Sequence, residues 1–220
     1  MVNMLQIAID GPAGSGKSTI SKIIAKNLNI NYLDTGAMYR MCTLKVINKK
    51  IDFENEKAII DVIKNINIKM ENNIFYLDDS DVSLLIREEK ISKNVSKVAK
   101  IKFVREKMVE IQQEIALESD VIMDGRDIGS TVLINSKHKF FLNASIDVRA
   151  ERRFNELIKA GANVTKEEII IDIAKRDKLD MERENSPLIK VEDAIEIDTS
   201  DLNIDEVVNL IISMIGEKND

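Results

Sequence analysis

The apolar run Leu5-Gln6-Ile7-Ala8-Ile9-Asp10 stops at a glycine, the pattern of a strand buried in a parallel sheet. Beyond the glycines, Ile20, Ile23, Ile24 and Leu28 recur at three and four residues, which predicts a helix from Ser18 to Leu28. A second strand-like piece, Asn31-Tyr32-Leu33-Asp34, is followed by Thr35-Gly36 and a helix from about Ala37 to Val46. Further on, Val121-Ile122-Met123-Asp124, Phe140-Phe141-Leu142-Asn143 and Ala194-Ile195-Glu196-Ile197-Asp198 read as strands. Helical periods run from about Ser92 to Glu118, Asp147 to Lys159, Lys166 to Arg183 and Ile204 to Ile215. Strands alternating with helices predict an α/β fold with a central parallel sheet, whose ligand crevice lies beyond the carboxyl ends of the strands.

Between about Asn65 and Arg87 the period changes. Ile66, Ile68 and Met70 alternate with Asn67, Lys69 and Glu71, the two-residue repeat of a half-buried strand. Asn72-Asn73 reads as a turn, Ile74 to Leu77 as the returning partner, and Asp78-Asp79-Ser80-Asp81 as another turn before Val82 to Ile86. This is a small antiparallel insertion in a chain of 220 residues, a length suited to one domain with a modest insertion.

Hydrophobic residues make up 44% and charged residues 32%, and no long uncharged apolar run is present, so a membrane-spanning helix is not expected. Met1-Val2-Asn3-Met4-Leu5 leads into the glycine-rich stretch too soon to hold an export signal. The single cysteine, Cys42, cannot form an internal disulfide, which favours a reducing compartment and an expected cytoplasmic location. A net charge of −6 argues against a broad electrostatic grip on nucleic acid, so any phosphate is expected to be handled locally.

That local site is legible. Gly11-Pro12-Ala13-Gly14-Ser15-Gly16-Lys17-Ser18 fits the phosphate-loop pattern G-x-x-x-x-G-K-[ST], with a predicted strand before it and a helix after it. Glycines let successive N–H groups point at phosphate oxygens, and the helix presents its positive end to the same anion. Lys17 is expected to reach the β and γ phosphates, and the Ser18 hydroxyl to ligate Mg²⁺. The loop alone serves small-molecule kinases, regulatory GTPases and motor ATPases alike.

Three further features stand out. Asp124-Gly125-Arg126-Asp127 follows a buried strand and so emerges at its carboxyl end. Ile169, Ile173, Arg176, Asp180 and Arg183 share one helical face that begins apolar and ends charged, and Arg105 lies on an apolar stripe with Ile101, Met108 and Ile115. Arg149, Arg152, Arg153 and Glu156 form the basic face of an amphipathic helix. Solvated ion pairs and snorkelling arginines are the competing explanations for such patterns. His138 is given no catalytic role, and Cys42 is read as a packing residue.

Four segments, Ile9 to Thr19, Leu33-Asp34-Thr35-Gly36-Ala37-Met38-Tyr39-Arg40, Asp124-Gly125-Arg126-Asp127-Ile128-Gly129 and Lys175-Arg176-Asp177, resemble bacterial cytidylate kinases in order and spacing, over essentially the whole chain. The resemblance implies a P-loop three-layer fold forming a single kinase domain over 1–220, with an antiparallel monophosphate-binding insertion at 60–95 and a helical lid at 148–165. It implies transfer of the ATP γ-phosphoryl group to CMP or dCMP, a monomer, Mg²⁺ as cofactor, and no nucleic-acid or membrane partner. ATP would be bound by Gly11, Pro12, Ala13, Gly14, Ser15, Gly16, Lys17, Ser18 and Thr19, with Mg²⁺ on Ser18 and, through water, on Asp124. Arg40 and Arg126 would grip the acceptor phosphate, Arg176 and Asp180 the pentose, and Ser96, Arg105, Asp127 and Arg183 the cytosine. Thr35 completes the acceptor set, standing where some relatives have serine, and Lys17, Arg126, Arg149 and Arg153 would be the catalytic charges. The open alternatives are a kinase of UMP or another phosphorylated acceptor, a nucleotide switch, for which no Asn-Lys-x-Asp sequence is present, and a binding module without catalysis.

Overall fold

A computed structural model describes residues 4–71, 74–159 and 161–217. The chain divides into two compact units, one of the residues up to Tyr32 with those from Ala116 onward, the other Leu33–Ile115.

The first unit is built on β1 (Gln6–Asp10), the phosphate-loop helix α1 (Lys17–Leu28) and the start of β2 (Asn31–Asp34). After the second unit it continues through β6 (Val121–Gly125), β7 (His138–Asn143), α6 (Ile146–Lys159), α7 (Lys166–Glu182), β8 (Ile195–Asp198) and α8 (Ile204–Glu217). The sheet order is β2-β6-β1-β7-β8. Strand β1 runs parallel to both β6 and β7, with Asp10 level with Gly125 and Phe141, and β7 runs parallel to β8. Ile7, Ala8 and Ile9 are wholly buried, as a central strand covered on both faces requires. Ile20 and Ile24 of α1 and Val207, Val208, Ile211 and Ile215 of α8 join the same apolar core. A second cluster, Ala150, Ile169 and Ile173, packs α6 on α7.

In the second unit, α2 (Thr35–Asn48) starts two residues earlier than its periodicity predicts, because the Asp34 carboxylate accepts the Ala37 N–H at 2.9 Å and caps it. Met38, Met41, Cys42, Leu44 and Val46 are buried. Helix α3 (Glu56–Ile63) is absent from the sequence-based expectations. It is capped by Asn55 and buries only Ile59 and Ile63, too short a pattern to stand out. The expected helix from Ser92 to Glu118 is two helices, α4 (Glu89–Ala99) and α5 (Lys102–Glu118). Ile101 is buried at the junction, where its N–H closes α4 on the Val98 carbonyl and its own carbonyl starts α5 with Arg105.

The insertion is antiparallel as expected, in the order β3 (Ile68–Glu71), β4 (Ile74–Leu77), β5 (Ser80–Asp81). The expected Asn72-Asn73 turn lies outside the described residues. Asp78 and Asp79, at φ 49° and 64°, make the two-residue turn that pairs Leu77 with Ser80. Pairing stops soon after, because the Asp81 carboxylate accepts the Ser83 N–H at 2.9 Å and Ser83 Oγ occupies the Phe75 N–H at 3.0 Å, turning the chain into a 3₁₀ turn at Leu85–Arg87. Lys45 of α2 ties the hairpin down by donating to Asp78 at 2.9 Å.

Candidate active site

The phosphate loop leaves β1 at the carboxyl edge of the sheet and feeds directly into α1. Gly14 and Gly16 hold φ of 78° and 89°, the left-handed region that an L side chain rarely adopts, and this curls the loop before the helix begins. Lys17 is buried, and its ammonium donates to the Pro12 carbonyl at 2.6 Å and to Ser15 Oγ at 3.2 Å. Burial holds the Lys17 amine well below the usual lysine range, with Arg126 and Arg176 pushing the same way and Asp124 and Asp10 opposing. Thr199, just past β8, braces the far side: its hydroxyl reaches the Ser15 carbonyl at 3.4 Å, and Arg152 donates to its hydroxyl and carbonyl at 3.0 and 2.6 Å.

Two oxygens suited to a divalent cation meet beside the loop. Ser18 Oγ donates to Asp124 Oδ2 at 2.8 Å, and the Tyr32 hydroxyl donates to the other carboxylate oxygen at 2.7 Å. Hard oxygen donors fit Mg²⁺, which takes few protein ligands and relies on phosphate oxygens and water for the rest. Tyr32 did not emerge from the sequence. Its only signal is a phenol within the strand-like piece Asn31–Asp34; in the fold that strand lies beside β6, the ring is half-buried, and its tip needs a partner.

Asp10, at the end of β1, is a second buried carboxylate. It accepts N–H bonds from Ile128 and Gly129 at 2.8 and 2.7 Å and so pins a short π-helical turn, Ile128–Val132, directly after Asp127. Burial pushes its pKa up from 3.8 to about 6, against the pull of the two N–H bonds. The folded state therefore binds the proton more tightly than the unfolded chain. The cost of the buried charge is absent below the unfolded value and develops in full as pH rises through about 6, which lowers stability by roughly 3 kcal/mol across that window. Thermal melts from pH 4 to 7 should show this downward trend in the wild type, and Asp10→Asn should be flatter. Parallel pH profiles would contradict it.

At the carboxyl end of β6, charges alternate. Arg126 Nε donates to Asp180 Oδ2 at 2.8 Å, Arg183 Nη1 stands 3.9 Å from Asp180 Oδ1, and Arg183 Nη2 donates to Asp127 Oδ1 at 3.4 Å. Burial by itself would raise the Asp180 carboxyl, yet Arg126, Arg176 and Arg183 together hold it below the ordinary carboxylate range. Burial likewise opposes the Arg126 charge, and Asp180, Asp124 and Asp177 more than compensate. The charged end of the α7 stripe is therefore an ordered polar surface in the first unit, with Arg126, Asp127, Arg176, Asp180 and Arg183 brought together there. Ion pairs of this density are costly to desolvate unless fully bonded, and buried charges perturbed in this way mark a candidate functional site.

The remaining acceptor candidates belong to the second unit. Thr35 is buried at the start of α2, Arg40 is half-buried one turn further on, and Ser96 is half-buried on α4. Arg105 is buried, donates to the Ala99 carbonyl at 3.3 Å, and stacks its guanidinium 5.3 Å from the centre of the Tyr39 ring. Cys42 is buried against Met108, and burial pushes its thiol up to about 12, which suits packing and not nucleophilic chemistry. His138 is buried within β7.

The basic face of α6 divides in two. Arg153 is exposed and pairs, among the described residues, with Glu156 at 3.0 Å. Arg149 is buried against the phosphate loop, donating from Nε to the Ala144 carbonyl at 2.9 Å and from Nη1 to the Ala13 carbonyl at 3.0 Å and to Asp177. The helical wheel alone could not separate them, because depth within the fold is not a property of the helix.

The chain is similar to known proteins over nearly its whole length. Residues 7–217 match the family model described as cytidylate kinase. The chain is 52% identical to a cytidylate kinase of Clostridioides difficile over 96% of its length and 98% of that protein, and 50% identical to one of Fusobacterium nucleatum over 93% and 94%. It is 47% identical to a cytidylate kinase of Bacillus cereus, with 98% of each chain covered. Among solved structures, an uncharacterized protein of Eubacterium ventriosum shares the fold at a TM-score of 0.54 and 15% identity, covering 97% of this chain and 99% of its own. A gluconokinase of Sinorhizobium meliloti does so at 0.50 and 13%, covering 98% and 93%. A phosphate loop with its carboxylate partner, on a parallel sheet, in a chain matched end to end at about half identity, makes this protein a member of the cytidylate kinase family.

Proposed function

We propose that the chain passes the γ-phosphoryl group of ATP directly to the 5′-phosphate of CMP or dCMP, giving ADP and CDP or dCDP, as a step of pyrimidine nucleotide metabolism. The observation that carries this reading is the alternating chain Arg126-Asp180-Arg183-Asp127, which shares the carboxyl edge of β6 and the same unit with the phosphate loop, in a member of this family.

The loop N–H groups and Lys17 hold the donor. Arg40 and Arg126 take the acceptor phosphate with planar forks matched to its oxygens, Arg176 and Asp180 take the pentose, and Ser96, Arg105, Asp127 and Arg183, with Thr35, take the cytosine. Cytosine offers two acceptors and an amino donor, so guanidinium and carboxylate partners suit its edge, and a wrong base would strand a buried charge. The acceptor phosphate is already ionised near neutral pH and needs no strong base. Catalysis then comes from alignment and from cations placed where charge develops: Lys17, Arg126 and Arg153, with Arg149 acting from beneath the loop. Mg²⁺, held by Ser18 and through water by Asp124, would neutralise charge on the triphosphate. The hairpin insertion at 60–95 would serve monophosphate binding and 148–165 the lid. The protein would act as a cytoplasmic monomer without nucleic-acid or membrane partners. No helix among the described residues is long and apolar enough to cross a membrane.

A coupled ADP-release assay across nucleoside monophosphates tests the reading. CMP and dCMP should be turned over best, UMP more weakly, and AMP and GMP hardly at all. Turnover of AMP or GMP with none of CMP would exclude it.

A further inference from the structure

Asp177 makes a closed circuit with the phosphate loop. Its Oδ1 accepts the Ala13 N–H at 3.2 Å, its Oδ2 accepts from Arg149 Nη1, and that same Nη1 donates back to the Ala13 carbonyl at 3.0 Å. Both polar groups of residue 13 are thus taken from behind by one ion pair. Arg149 is itself fixed through Nε on the Ala144 carbonyl, and both Arg149 and Asp177 are more than nine-tenths buried. The next residue is fitted to the same seat: a Cβ on Gly14 would lie 3.1 Å from both the Cβ and the carbonyl oxygen of Arg149. Asp177 also sits between Arg176 and Asp180 on α7, so the helix that carries acceptor candidates is bonded to the donor loop.

We infer that Asp177 is a positioning residue for the donor nucleotide: through Arg149 it holds the Ala13 peptide, and with it the curl of the loop, in the conformation that receives the triphosphate. A loop rich in glycine has many conformations to lose on binding, and prepaying that ordering raises affinity for the donor without touching it. The inference rests on the loop binding ATP.

The test is Asp177→Asn, which keeps an acceptor for the Ala13 N–H and removes the charge that holds Arg149. It should raise the KM for ATP and weaken calorimetric ADP binding by about tenfold, while the KM for CMP and kcat stay within about twofold, since hydrogen bonds to charged partners are of that strength. Asp177→Glu should recover part of the loss. Equal weakening of donor and acceptor, unchanged ADP binding, or a fall in kcat alone would overturn the inference. Should Asp177→Asn fail to fold, Asp177→Glu is measured by itself in the same way. It keeps the charge and displaces the carboxylate from the Ala13 N–H, so a donor-selective loss supports the clamp, and unchanged ADP binding overturns it. Wild-type chain that binds ADP but does not turn over CMP would count against the acceptor assignment alone.

Discussion

Lys17→Met should lower kcat/KM for phosphoryl transfer by roughly 10³-fold, the scale seen when one preorganised charge at a reacting centre is removed, while leaving the fold in place. The unusual part of this expectation is the stability. Lys17 is 5% exposed, and its amine is held below its usual range chiefly by burial, with Arg126 and Arg176 adding to the strain on the charged form. A methionine of similar length removes a charge that is costly to keep dry, which offsets the loss of the bonds to Pro12 and Ser15. The melting temperature should therefore stay within a few degrees of the wild type, or rise. Calorimetry and a steady-state assay on one preparation decide the matter. Retained activity would remove Lys17 from the mechanism, and an unfolded variant would show that the buried ammonium is a structural group first.

Gly11→Ala should do the reverse and act through the backbone. Gly11 has φ of 146°, and a Cβ there would fall 2.0 Å from the carbonyl oxygen of Leu142. That oxygen belongs to the backbone of β7, which is hydrogen-bonded to β1 on one side and to β8 on the other, so neither neighbour can give way. A strained φ and a clash with a central strand together should cost about 3 kcal/mol or more, near 10 °C in melting temperature for a chain of this length. The displaced loop should also lose ATP affinity. A variant melting within a degree of wild type, with ATP affinity intact, would show that the start of the loop is less tightly seated than its contacts indicate.

The contrast between these two positions bears on what could be read in advance. Gly11 and Lys17 are both conspicuous in the amino-acid sequence, since the phosphate-loop pattern needs each, yet nothing local says that one is limited by β7 and the other by desolvation. The same division holds elsewhere. The βα rhythm follows from apolar periodicity, and the hairpin at Ile68 to Leu77 from its two-residue alternation. Helix α3, with two buried isoleucines, was invisible because its local pattern is two turns long. The break at Ile101 carries no proline or glycine, and it arises because that side chain is buried where one helix hands over to the next. Tyr32 and Asp10 acquired their partners, Asp124 and the turn after Asp127, only when β6 was laid beside β1 and β2.

By itself, then, the order of residues determined the fold class, the phosphate loop and the family resemblance, because strands, helices and short glycine patterns are encoded over spans that chain-neighbour physics can reach. It also marked Arg176, Asp180 and Arg183 as the charged end of an otherwise apolar helical face, and Arg126 and Asp127 as side chains emerging at the carboxyl end of a buried strand. Only the tertiary structure decided how those charges alternate, that Arg149 lies under the loop while Arg153 faces solvent, and that Asp177 closes a circuit on Ala13. Those outcomes depend on burial and on contacts that reach across as many as 164 residues of chain, and neither is present until distant segments pack.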